Sequence, residues 1–123
     1  MGTGKRKPET PTRVILGVLV SEFQPEERSK SDATIRRRLR YHRLGPYDQD
    51  QVEVVRRFKD ALQREIGLLH RSQYYLGPHG KFAAPEDFDV ARMVSDYRAA
   101  FPEIGKPDIE WFIPWALYVY YLR

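Results

Sequence analysis

The stretch between Asp48 and Arg71 constrains this chain most. Val52, Val55, Phe58, Leu62, Ile66 and Leu69 recur at three- and four-residue intervals, a period that lines one face of an α-helix and does not fit a strand. No proline or glycine interrupts the pattern before Gly67. The spacing predicts a long amphipathic helix over 48–71. Its other face carries Glu53–Arg57 and Asp60–Arg64, both acid-first i,i+4 pairs of stabilising sign.

The remaining segments read as shorter helices. Thr10-Pro11 resembles an N-cap followed by proline at the first helical position. It opens the apolar run Val14-Ile15-Leu16-Gly17-Val18-Leu19-Val20, which continues to Phe23. We read this run as a helix; its β-branched content keeps a short N-terminal strand as the alternative. Residues 24–30 form a polar connection. Ser31 or Asp32 is positioned to cap a second helix to about Leu44, ended by Gly45-Pro46. Residues 73–84 contain Gly77-Pro78 and Gly80 and read as a loop. Pro85-Glu86-Asp87 sets acids where a fourth helix would begin; that helix carries Phe88, Val90, Ala91, Val94, Tyr97 and Phe101 and stops at Pro102. Asp108 is placed to cap a last helix to Arg123, bent at Pro114. The expectation is an all-α fold, a compact bundle of four to five helices. Residues 10–123 form a single helical domain behind a flexible basic tail over 1–9.

A chain of 123 residues with 41% hydrophobic content suffices for one core. It contains no cysteine, which removes disulfides, thiolate catalysis and thiolate-ligated metal from the candidate chemistries. No apolar run reaches the roughly 18 residues of a spanning helix. The segment Met1-Gly2-Thr3-Gly4-Lys5-Arg6-Lys7-Pro8 lacks the apolar centre of a secretory signal. A cytoplasmic protein without a membrane contact is expected. The formal net charge of +4 is unevenly spread: residues 1–72 hold 16 Lys+Arg against 10 Asp+Glu, and residues 73–123 hold 5 against 7.

Much of that excess lies in Ile35-Arg36-Arg37-Arg38-Leu39-Arg40-Tyr41-His42-Arg43, and no acid falls between Asp32 and Asp48. On a wheel of about 100° per residue, Ile35, Leu39 and His42 cluster as a narrow buried seam. Arg36, Arg40 and Arg43 share an adjacent face, with Arg37 just beyond and Arg38 on the other flank. A broad arginine face suits a polyanion, above all nucleic-acid phosphate. The competing readings are an acidic protein partner, the acidic second half of the same chain, or a solvated surface helix. Thr34-Ile35-Arg36-Arg37-Arg38-Leu39 resembles the recognition helix of Fis-type helix-turn-helix domains over about a dozen residues. That resemblance implies Thr34, Arg36, Arg37 and Arg40 facing DNA in the major groove. Upstream, residues 24–30 depart from the turn of about three or four residues that joins the two helices of that motif.

Two further segments carry candidate contacts. Around the loop, Arg71 and Lys81 would hold phosphates while Tyr74 and Tyr75 stack on unpaired bases; the alternative closes the paired tyrosines onto the core. Lys5-Arg6-Lys7 would enter a minor groove as a tail. Near the C-terminus, Trp111, Trp115, Tyr118 and Leu122 share a helical face and are the candidate interface residues, for a second copy of the chain or for a larger complex; an ordinary core helix is the alternative. Gly2-Thr3-Gly4-Lys5 lacks the spacing of a phosphate loop, and His42, His70 and His79 lack metal-ligand spacing, so neither a cofactor nor a metal is expected. An enzyme is not expected either; a metal-free ribonuclease would draw on Arg71, Tyr75 and His79. The resulting expectation is a small regulatory or architectural protein that binds nucleic acid, DNA before RNA, through Arg36, Arg37, Arg38, Arg40 and Arg43. The alternative is an adaptor or inhibitor subunit docking through the same helix and the aromatic C-terminus.

Overall fold

Five α-helices organise this computed structural model, which describes residues 10–122. They are α1 (Pro11–Leu19), α2 (Arg28–His42), α3 (Gln49–Gly67), α4 (Val90–Ala100) and α5 (Lys106–Leu117). Short 3-10 turns link them at Pro25–Glu27, Leu69–Arg71 and Pro85–Asp87. The described residues hold no strand, only an isolated antiparallel bridge between Tyr75 and Phe88. The fold is all-α, and the N-terminal run is helical. The tail expected over 1–9, with Lys5-Arg6-Lys7, lies outside the described residues.

The first helix starts as its sequence suggests. The Thr10 hydroxyl accepts from the Arg13 N–H at 3.1 Å, and Pro11 occupies the first turn, where its missing donor costs nothing. Val14, Ile15, Leu16 and Leu19 are buried, because α1 packs on α2, α3 and α5 at once. The Val52, Val55, Phe58, Leu62 and Ile66 stripe of α3 is buried as expected, with Asp48 capping its start. Phe58 is the aromatic hub, its ring centroid 5.5–5.9 Å from those of Tyr97, Phe101 and Phe112.

Several boundaries differ from expectation. The α3 helix ends at Gly67, and Leu69 adopts a left-handed φ of 57° and is exposed, so it leaves the stripe. The second helix begins at Arg28, because Pro25–Glu27 already turns the chain: the Glu27 carboxylate accepts from the Phe23 and Gln24 N–H groups at 2.7 and 2.8 Å. These two backbone donors hold the Glu27 carboxyl below its ordinary value. The second helix also stops earlier than expected, at His42. Asp89, whose side chain accepts from the Arg92 N–H at 3.2 Å, caps α4, and Pro85–Asp87 is a separate turn. The residue capping α5 is Gly105. Asp108 faces back to α1 instead, accepting from Thr10 Oγ1 at 3.1 Å and Arg13 Nε at 2.9 Å.

Pro114 sits inside α5, and the helix widens into a π turn over Tyr118–Leu122. Tyr120 and Tyr121 then reach in different directions. One hydroxyl donates to the Val20 carbonyl at 2.8 Å and the other to Asp87 Oδ2 at 2.7 Å. No described helix is long and apolar enough to cross a membrane.

Candidate nucleic-acid interface

The arginine-rich helix α2 is attached by a narrow seam. Only Ser31, Ile35 and Leu39 are buried, at i, i+4 and i+8, and the helix packs chiefly on α1 and on the turn before it. His42, expected in that seam, is half-buried and meets Tyr41 edge to face at 5.1 Å. Ser31 takes the place one turn further back. Arg36, Arg37, Arg38, Arg40 and Arg43 are all exposed. Among the described residues no carboxylate pairs with any of the five.

Asp32, one turn before Arg36, is engaged from α3 instead: Arg56, 2% exposed, gathers Glu22, Asp32 and Glu53. Its Nε and Nη2 donate to Glu22 Oε1 and Oε2 at 2.8 and 2.9 Å, its Nη2 also to Asp32 Oδ1 at 2.8 Å, and its Nη1 to Glu53 Oε2 at 2.6 Å. Burial opposes the Arg56 charge, but the hydrogen bonds to Glu22 and Asp32 outweigh it and leave the guanidinium firmly protonated. Lys59 is buried beside it and donates to the Glu22 carbonyl at 2.6 Å and pairs with Asp60 at 2.8 Å. The expected Glu53–Arg57 and Asp60–Arg64 pairs therefore do not form: each acid turns to a buried base that needs its charge compensated. The exposed arginines of α2 keep no carboxylate partner among the described residues.

Two concavities flank the α2 rod. One is lined by Arg36, Arg40, Arg43, Gly45 and Tyr47. There the Arg36 guanidinium lies 3.9 Å over the Tyr47 ring, whose hydroxyl donates to Gln49 Oε1 at 2.7 Å. A cation over an aromatic face is held there while its N–H donors stay available. Burial, followed by nearby Asp32, raises the Tyr47 hydroxyl pKa. The second concavity is lined by Arg37, Arg38, Tyr41 and His42, and Tyr41 is 80% exposed.

The helix end adds strain. Arg43 adopts a left-handed φ of 56° just past the last helical residue. Its N–H donates to the Arg40 carbonyl at 3.2 Å and the Leu44 N–H to the Leu39 carbonyl at 3.0 Å. This closing motif normally places glycine where Arg43 stands. Here glycine comes two residues later, at Gly45 with φ 97°.

The other candidate contacts separate from this face. The Thr34 hydroxyl donates to the Lys30 carbonyl one turn back at 3.0 Å, so it is engaged inside its own helix. Tyr74 is 4% exposed: its hydroxyl donates to Asp96 Oδ2 at 2.8 Å and the Arg92 guanidinium covers its ring at 4.8 Å. Burial and then the Asp96 bond raise its pKa. It offers no face to an unpaired base. Tyr75 is half-buried against Phe88, with ring centroids 5.5 Å apart. The tyrosine pair closes the loop onto the core, while Arg71 and Lys81 stay exposed. Arg71, Tyr75 and His79 share no hydrogen bond; the His79 N–H and ring lie against Asp87 and the Gly77 carbonyl. Among the described residues no group of three or more His, Asp or Glu could hold a metal ion.

On α5 the core takes Ile109, Phe112, Ile113, Ala116 and Leu117. The all-round apolar helix thus divides into a buried face and an outward one. Trp111 and Tyr118 are exposed, and Trp115 and Leu122 half-buried. Trp111 and Trp115 meet at 5.2 Å, and the Arg13 guanidinium lies 5.2 Å over Trp111.

Tyr41, Tyr47 and Arg56 join this neighbourhood beyond the residues expected there. A signal existed for Tyr41, since six residues from Ile35 at about 100° each points it away from the seam. For Arg56 there was none, because Arg56 and Arg57 are adjacent and the surface pair Glu53–Arg57 had the better spacing. The joint between the helices also departs from the Fis-type resemblance. Residues 20–27, with their own 3-10 turn, separate α1 from α2, where a helix-turn-helix uses about three or four. The chain matches no protein-family model, no curated protein and no solved structure.

Proposed function

We infer that this protein binds nucleic acid through the exposed arginine face of α2, as a small regulatory or architectural component of a nucleoprotein complex. One observation carries the reading. Arg36, Arg37, Arg38, Arg40 and Arg43 project from a helix that buries only Ser31, Ile35 and Leu39, no described carboxylate pairs with them, and Asp32, one turn before Arg36, is bound to Arg56. Guanidinium groups kept free of internal acids lose little on meeting phosphate, and each contact releases a condensed counterion.

The test is retention of duplex and single-stranded DNA and RNA in a gel at low and moderate salt, for the wild type and for the Arg36/Arg37/Arg40/Arg43→Ala variant. The wild type is expected to retard nucleic acid at low salt, less so at moderate salt, and the variant not at all. Retention by neither protein would overturn the reading and send the arginines to an acidic protein partner instead.

A further inference from the structure

The basic face of α2 contains one group that phosphate binding does not explain. Tyr41 is 80% exposed, the most exposed large hydrophobic side chain among the described residues. Its hydroxyl has no hydrogen bond there, and its ring meets only the edge of His42, with an interplanar angle of 82°. At about 100° per residue, Tyr41 projects between the directions of Arg37 and Arg38, and these two with His42 line the concavity around it. The ring thus stands in water between two guanidinium groups that pair with no carboxylate among the described residues.

The ligand that satisfies all three groups is a nucleotide whose base is not paired. We propose that Tyr41, flanked by Arg37 and Arg38, is a stacking site for an unpaired base, so that the polyanion bound by α2 is single-stranded. A paired base is already stacked within its duplex and presents only its edges to a protein; an unpaired one exposes its π face to an aromatic platform, with neighbouring phosphates held by arginine. The opposite flank, where Tyr47 braces Arg36 beside Arg40 and Arg43, takes the continuing backbone. The architecture agrees. A helix-turn-helix inserts its recognition helix with a second helix braced across the duplex backbone after a short turn, and residues 20–27 do not supply that turn.

This inference rests on the nucleic-acid reading above, and its test separates the two. Fluorescence anisotropy would compare a labelled oligothymidylate, an abasic strand of the same length and a duplex, for the wild type, Tyr41→Ala and Tyr41→Phe. The wild type is expected to prefer the oligothymidylate to both other probes. Tyr41→Ala should lose roughly tenfold on that strand, the order of one base–aromatic stack, with duplex and abasic affinities unchanged. Tyr41→Phe, which keeps the ring, should bind as the wild type does. Equal affinity of Tyr41→Ala and wild type for the oligothymidylate, or a preference of the wild type for duplex, would overturn the stacking site and leave the nucleic-acid reading standing. Failure of the wild type to bind any of the three would overturn both. Tyr41 lies clear of the core, so circular dichroism of Tyr41→Ala should match the wild type.

Discussion

Arg56 and Glu22 form a fork-to-fork ion pair in the interior, with Nε–Oε1 at 2.8 Å and Nη2–Oε2 at 2.9 Å, both side chains at least nine-tenths buried. Asp32 of α2 and Glu53 of α3 complete the guanidinium's coordination. The cluster ties the exit of α1 to α2 and α3, and it engages Asp32, the acid one turn before Arg36 on α2.

Truncating that base leaves Glu22 charged and unpaired in the interior. Arg56→Leu is expected to destabilise the fold by about 3 kcal/mol in chemical denaturation. Arg57→Leu, one residue along and exposed, should stay within about 0.5 kcal/mol of wild type. Equal effects from the two would show that the network does not hold the helices together.

Arg43 opposes stability to binding. Its φ of 56° costs an L-residue on the order of 1 kcal/mol that glycine does not incur. Arg43→Gly should therefore raise the unfolding free energy by about that amount while weakening retention of nucleic acid. A variant that is both more stable and equally tight would remove Arg43 from the interface.

The acid limb of stability runs through Asp87. Its buried carboxylate accepts from the Tyr121 hydroxyl and from the Ala84 and His79 N–H groups, and with Tyr121 as the largest cause its pKa lies below the ordinary value. A depressed carboxyl stabilises the fold above the unfolded-state value of about 4. That contribution is lost as pH falls through the folded-state value. Tyr121→Phe should flatten this acid loss in pH-dependent denaturation. On the alkaline side burial pushes Tyr97 up to about 12. Its contribution is intact below the unfolded-state value of about 10 and fades as pH rises through the folded one. Tyr97→Phe should remove that part of the alkaline loss.

The legible parts of this molecule are those where one local rule acts alone. The α3 stripe through Val52, Val55, Phe58, Leu62 and Ile66 obeys helical spacing, and Thr10-Pro11 states its own N-cap, so both were readable. Asp108 was not: its spacing from Gly105-Lys106-Pro107 marks a cap, but Thr10 and Arg13, remote in sequence, compete for its carboxylate. The tyrosine pair illustrates the same limit. Nothing in residues 70–82 states that Phe88 and Asp96 will draw Tyr75 and Tyr74 inward. The exposure of the arginines was readable from the gap between Asp32 and Asp48. The capture of Asp32 by Arg56 was not, because it depends on α2 meeting α3 across 24 residues of sequence.

The most direct measurement is the salt dependence of affinity for an oligothymidylate, wild type against Arg36/Arg37/Arg40/Arg43→Ala. Four arginine–phosphate contacts on a single strand predict a slope of log affinity on log salt of about −3 for the wild type. The variant should approach a flat line wherever its binding can still be measured. A flat wild-type line, or the same slope in both proteins, would contradict the account.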